Sequence, residues 1–195
     1  LGRRPDGVAL LAKAAQALAG RDEHEKARDL CRRVLKLEPH SLEPRRLLAA
    51  SLERLGDLKE ALEEYRQAAR DSAEAHDHGV ALEILQRLLA LDPSRVEERE
   101  LFAKLLRREG RIEESIRQTL MLLETIGEND DPRRAIKYCR QILDENADHA
   151  QAHMHLCAIY ERTEKWRQAF QECEWLADYY QSKGALNEAE ASIRK

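Results

Sequence analysis

Apolar residues recur along this chain at helical spacing, and the stripes themselves recur at a fixed interval. Ala81, Leu82, Leu85, Leu88, Leu89 and Leu91 share one helical face, and Ala135, Ile136, Cys139, Ile142 and Leu143 repeat it further on. Alanine stands at 27, 81, 135 and 189, each 54 residues after the last. Leu48, Phe102 and Leu156 mark a second recurring core site, Leu52, Leu106 and Tyr160 a third. Small residues (Ala49, Ala103, Cys157) recur where two helices must approach closely. A single helix hairpin cannot bury such stripes alone, whereas stacked neighbours can, which is the physical basis of a solenoid.

Breakers divide each unit into three helical segments. In the second they run roughly 58–75, 78–91 and 95–108, separated by Asp77-His78-Gly79 and Asp92-Pro93-Ser94, since proline cannot continue a helix. The first two units open alike, Leu1-Gly2-Arg3 and Leu55-Gly56-Asp57, and the third opens Glu109-Gly110-Arg111. A glycine after an apolar helical run closes the helix in the left-handed conformation. The fourth copy has Glu164 instead, so its turn is expected to close another way. The units are 1–54, 55–108, 109–162 and a partial 163–195. The pattern predicts one all-α array of about eleven antiparallel helices, the last beginning near 186, cut from a longer protein.

These residues resemble the tetratricopeptide repeat (TPR), a 34-residue helix–turn–helix motif. The resemblance lies in Ala49, Leu52, Gly56-Asp57, Ala61 and Tyr65 over 41–75, in Ala103, Leu106, Gly110 and Ile116 over 95–126, and in Cys157, Tyr160, Ala169 and Cys173 over 149–182. Segment 8–39 fits through Ala15, Leu18, Ala27, Cys31 and Pro39. The motif's early Trp is absent, its place taken by Leu11, Arg45, Arg99 and His153. The longer 54-residue period resembles arrays of bacterial adaptor, polarity, pilus and envelope-assembly proteins. The resemblance implies a right-handed TPR-like solenoid whose inner and outer layers exchange helix types from unit to unit. It also implies a scaffold or adaptor that binds a protein or peptide along a groove lined by the first helix of each hairpin. Mapped here, that groove offers Arg46, Arg54, Lys104, Arg107, Arg108, Met154 and Arg162, a basic run suited to an acidic segment. The Asn of the carboxylate clamp of chaperone-binding TPRs is missing from helices 5–20, 41–54, 95–108 and 149–162.

Composition narrows the function further. The chain carries 33 Lys+Arg against 37 Asp+Glu, a net charge of −4 with the signs interleaved, which argues against nucleic acid as a partner. No stretch approaches the roughly 18 apolar residues of a membrane span. No phosphate-binding glycine loop, nucleophile elbow or H-E-x-x-H motif appears, so neither an enzyme nor a cofactor site is expected. The four cysteines, 31, 139, 157 and 173, fall where sister units carry small or apolar residues, so they read as separate core thiols in a reducing, cytoplasmic compartment.

Near the C-terminal end, Phe170 and Tyr180 read as core, because Leu62/Ile116 and Ser72/Ile126 are their counterparts. Trp175 and Tyr179 correspond to Gln67/Met121 and Asp71/Thr125, so they read as an exposed i,i+4 pair able to anchor an interface. Such a pair also makes a homodimer the alternative to an adaptor, and an array regulating a domain elsewhere on the parent chain a further one. His149, His153 and Cys157 share the i, i+4, i+8 spacing of a zinc site, but a core thiol cannot join a surface ion and the two histidines align with Arg95 and Arg99, read as surface residues. No metal is expected.

Overall fold

The structure is a computed structural model that describes residues 4–185 and 187. Among these, ten helices follow one another without a strand: α1 (Arg4–Ala19), α2 (His24–Leu37), α3 (Leu42–Leu55), α4 (Leu58–Glu74), α5 (His78–Leu91), α6 (Val96–Arg108), α7 (Ile112–Asp130), α8 (Pro132–Glu145), α9 (Ala150–Arg162) and α10 (Trp166–Ser182). The expected eleventh helix, with Ala189, lies outside the described residues. The chain forms two compact units, Leu1–Glu109 with α1–α6 and Gly110–Lys195 with α7–α10.

Two kinds of turn join the helices. In the first, one residue after the helix adopts the left-handed conformation and two backbone bonds close the last turn. Gly56 does so at φ +86°, with its N–H on the Glu53 carbonyl at 3.1 Å and that of Asp57 on Leu52 at 2.9 Å. Glu164 departs from expectation. It takes the same conformation at φ +56°, with the same bonds from Glu164 N–H to Glu161 (3.1 Å) and Lys165 N–H to Tyr160 (2.8 Å). Asp22 and His76 also sit at positive φ (59° and 61°). A β-carbon there costs about 1–2 kcal/mol, less than two orphaned helix-end carbonyls would. In the second kind of turn the helix ends in extended backbone, at Glu38, Asp92 and Asn146, with nearly identical angles (φ −133°, −139° and −145°) and the repeat's own spacing.

The expected stripes are the core. Ala27, Ala81, Cys31, Leu85 and Cys139 are fully enclosed, and Ala135, Leu48, Leu52, Leu106 and Leu156 nearly so. In the first unit, Leu62, Tyr65, Ala68 and Ala69 of α4 meet Ala81, Leu82, Leu85 and Leu88 of α5 in one cluster with Phe102, Leu105 and Leu106 of α6. A smaller cluster joins Ala15, Cys31, Leu48, Leu52 and Ala61 across α1–α4. Helix α1 packs on α2 and also on α3, so α1 and α3 are neighbours in one layer. In the second unit α7 packs on α8, α8 on α9 and α9 on α10.

Three further sequence-based expectations fail here. Phe170 is 68% exposed rather than core, and Tyr180 is half-buried. Arg99 and His153, read as surface residues, are 7% and 8% exposed. Finally, Cys31 and Cys139 are buried thiols, but Cys157 of α9 and Cys173 of α10 are joined in a disulfide. The α9–α10 hairpin folds the chain back so that positions 16 residues apart face each other, a juxtaposition that counting from sister units does not reveal.

Candidate functional site

The position of the missing motif Trp organises each unit. Arg45, Arg99 and His153 each reach back to a backbone carbonyl six residues earlier, that of Pro39, Pro93 (2.8 Å) and Ala147 (3.1 Å). Those carbonyls belong to the extended turns, which have no helical partner to spend them on. Arg45 also donates to Glu64 at 2.7 Å and lies 3.6 Å from Asp71, and His153 Nδ1 lies 2.6 Å from Glu172. The polar head is thus buried with its partners, as a buried charge requires. For Arg99, burial pushes the guanidinium pKa down. No signal in a single sequence separates such an arginine from a solvated one; the proline or alanine six residues before it is the nearest thing to one.

A cleft of about 430 Å³ opens in the first unit between α1, α3 and α5. Its walls are Ala12, Lys13 and Gln16 of α1, Pro44, Leu47 and Ala50 of α3, and Ile84 of α5, with Tyr65 of α4 beneath. The rim carries Arg46, which pairs with Glu43 (3.3 Å) and Glu83 (3.6 Å), and Arg87, which donates to Glu53. Glu53 lies below the ordinary carboxylate range chiefly because of Arg87, then because Tyr65 donates to it at 3.0 Å, with burial acting the other way. Burial, followed by the hydrogen bond to Glu53, pushes the Tyr65 phenol up to about 12. The arrangement is an apolar floor within a ring of paired charges. It can hold an apolar or mixed segment, and its two arginines are already engaged by carboxylates.

Of the residues expected to line a basic groove, Arg46 alone is in this cleft. Lys104, Arg107 and Arg108 stand on α6, Lys104 and Arg108 exposed and Arg107 half-buried. Arg54 is exposed in the last turn of α3, and Arg162 in the last turn of α9. Met154 is 49% exposed, with the Tyr180 hydroxyl 3.6 Å from its sulfur. The sequence reading followed the motif's first helices to α6, whereas the wall runs from α3 to α5. It therefore missed Ile84 and Arg87 of α5, which taking every second helix would have found, and it passed over Lys13 and Leu47 on α1 and α3, helices it did follow.

Trp175 and Tyr179 do form a pair, stacked with ring centroids 5.1 Å apart, and Trp175 stacks in turn on His153 at 3.6 Å. Both are half-buried rather than fully exposed. With Asp148, Asp178 and Lys183 they border a polar recess, the Lys183 ammonium 5.6 Å from the Tyr179 ring. The strongly exposed aromatics lie earlier on the same helix, Trp166 (65%) and Phe170 (68%). The histidines of the zinc-like spacing are otherwise engaged: His149 caps α9 by accepting from the Ala152 N–H at 3.3 Å, and His153 is held as above. Among the described residues, Cys157, Glu161 and Cys173 form a different group of metal-type donors, with ligand atoms within 4.8 Å of one another.

No family model matches this chain, and no curated protein does. Solved structures do. A tetratricopeptide repeat protein from Parabacteroides merdae ATCC 43184 is 17% identical, with 97% of this chain and 78% of that one covered and a TM-score of 0.38. YrrB, a TPR protein with an unusual peptide-binding site, is 17% identical over 93% of this chain and 90% of its own, with a TM-score of 0.31. MamA of Desulfovibrio magneticus RS-1, from residue 41 to its end, is 18% identical over 82% of this chain and 97% of that one, with a TM-score of 0.39. Among the described residues no helix is long and apolar enough to cross a membrane.

Proposed function

We propose that this protein is an interaction scaffold that binds a segment of a partner protein in the α1–α3–α5 cleft. The observation that carries the reading is the cleft itself, about 430 Å³ with Leu47, Ala50 and Ile84 on its walls and paired charges at its rim. Apolar anchors set among satisfied polar groups are what a protein-binding surface needs. Because Arg46 and Arg87 already hold carboxylates, the segment it fits best is apolar with mixed charge, not the acidic one that the arginine count suggests. Peptides selected from a display library on the immobilised protein test this. Binders that Ala50→Arg and Ile84→Glu abolish, in variants that keep the helical circular dichroism of the parent, support the reading. Binders indifferent to both substitutions overturn it.

A second reading is self-association, favoured by Trp166 and Phe170, exposed one turn apart on α10. Sedimentation over a range of concentrations tests it: a mass that rises with concentration, and that Trp166→Ser/Phe170→Ser holds at the monomer value, makes this face a homodimer contact.

A further inference from the structure

The geometry points to a reversible thiol latch in the α9–α10 hairpin: we propose that a small thiol of the glutathione class opens the Cys157–Cys173 bond and its disulfide re-forms it, coupling the packing of these two helices to the surrounding redox state. Three observations support this. The first comes from comparing hairpins. Cys157, Glu161 and Cys173 stand at the positions of Ala49, Glu53 and Tyr65, 108 residues earlier. In the α3–α4 hairpin the two helices are clasped there by a hydrogen bond, Tyr65 hydroxyl to Glu53 at 3.0 Å. The same spot in α9–α10 is clasped covalently, so this hairpin geometry closes without a covalent link.

The second is the asymmetry of the pair. Cys157 is 5% exposed while Cys173 is half-buried, so an attacking thiolate reaches the Cys173 sulfur. The third is that the departing sulfur has somewhere to go. Cys157 Sγ lies 3.5 Å from Glu161 Oε1, so the freed, reprotonated thiol donates to that carboxylate. The steps balance. One thiolate bonds to Cys173 Sγ and expels Cys157 as thiolate, which takes a proton. A second thiolate attacks the added sulfur, leaves with it as the small-molecule disulfide, and Cys173 takes the second proton. Two thiols are oxidised and one protein disulfide is reduced. The reverse exchange closes the latch. Its structural consequence reaches the aromatic stack, because Cys173 lies two residues before Trp175, which packs on His153 at 3.6 Å.

The test uses the full chain with Trp166→Phe, so that Trp175 is its remaining tryptophan, equilibrated anaerobically in glutathione buffers of graded ratio and quenched with a maleimide polymer in denaturant. Two thiols per chain in the most oxidising buffer and four in the most reducing, with a change in Trp175 emission over the same ratios, are expected. Adding Cys157→Ser/Cys173→Ser removes both transitions. Should that pair fail to fold, Cys157→Ala/Cys173→Tyr rebuilds the clasp of the α3–α4 hairpin and is expected to fold and to ignore the buffer. A count fixed at two or at four across all ratios overturns the latch. So does a chain that binds one equivalent of zinc through these two thiols, which would make the cluster a metal site.

Discussion

Replacing Arg45 with alanine strips three contacts from one point. The guanidinium donates to Glu64 at 2.7 Å and to the Pro39 carbonyl, and its Nε lies 3.6 Å from Asp71, an ion pair too long for a hydrogen bond. The side chains are 14%, 22% and 14% exposed for Arg45, Glu64 and Asp71. An exposed ion pair is worth about 0–1 kcal/mol, and breaking a fully buried one costs about 3–5 kcal/mol because the abandoned charge stays behind. With residual exposure of this order, and the turn's carbonyl losing its donor as well, the loss works out at about 2–3 kcal/mol. Urea unfolding followed by circular dichroism measures it. A cycle with Glu64→Gln separates the pair from the tether, with an expected coupling of about 1 kcal/mol or more. An Arg45→Ala protein within about 0.5 kcal/mol of its parent refutes the reasoning and returns Arg45 to an ordinary surface residue.

Other outcomes follow from the same structure. Leu85, fully enclosed between α4 and α6 neighbours, costs about 3–4 kcal/mol when cut to alanine and less when replaced by cysteine, which its sister positions 31 and 139 already carry; equilibrium unfolding of the two variants checks the order. The Tyr65 phenol has its pKa raised to about 12 in the folded protein, so folding favours its protonated form. The stability this supplies is complete below the unfolded value near 10 and is lost as pH climbs towards 12, a slope that Tyr65→Phe removes from the alkaline stability profile. Burial pushes the Cys31 thiol up to about 11, so a maleimide at neutral pH is expected to leave Cys31 unmodified in the native chain and label it in urea, as peptide mapping would show. Glu164→Gly relieves a left-handed β-carbon and is expected to gain about 0.5–1 kcal/mol in the same unfolding assay.

Helix extents and the core stripe were legible in the sequence because they rest on periodicity and on breakers, both local. The expected segments 58–75, 78–91 and 95–108 appear as Leu58–Glu74, His78–Leu91 and Val96–Arg108. What was not legible depends on groups distant in sequence. Arg99 and His153 look solvated until the extended turn brings a carbonyl to them. Cys157 looks like a spacer until Cys173 is folded against it. Glu164 looked incompatible with its turn because the rule for glycine is a preference of about 1–2 kcal/mol, which two backbone bonds outweigh. The i,i+4 spacing pairs Trp175 with Tyr179, yet the stacking of Trp175 on His153 cannot be read from spacing alone.

The cleft's walls have a consequence for how such a chain can grow. In the repeat's register α1 is a first helix, α3 a third and α5 a second, so a single wall draws on every helix type of the unit. An odd number of helices per copy therefore gives the array a parity. Inserting one 54-residue copy ahead of α5 would hand that helix to the opposite wall, and inserting two would give it back. A ligand-contacting residue cannot then spread by simple duplication of the unit that bears it. Lineages that lengthen such an array while keeping a composite cleft are bound to do so in pairs of copies.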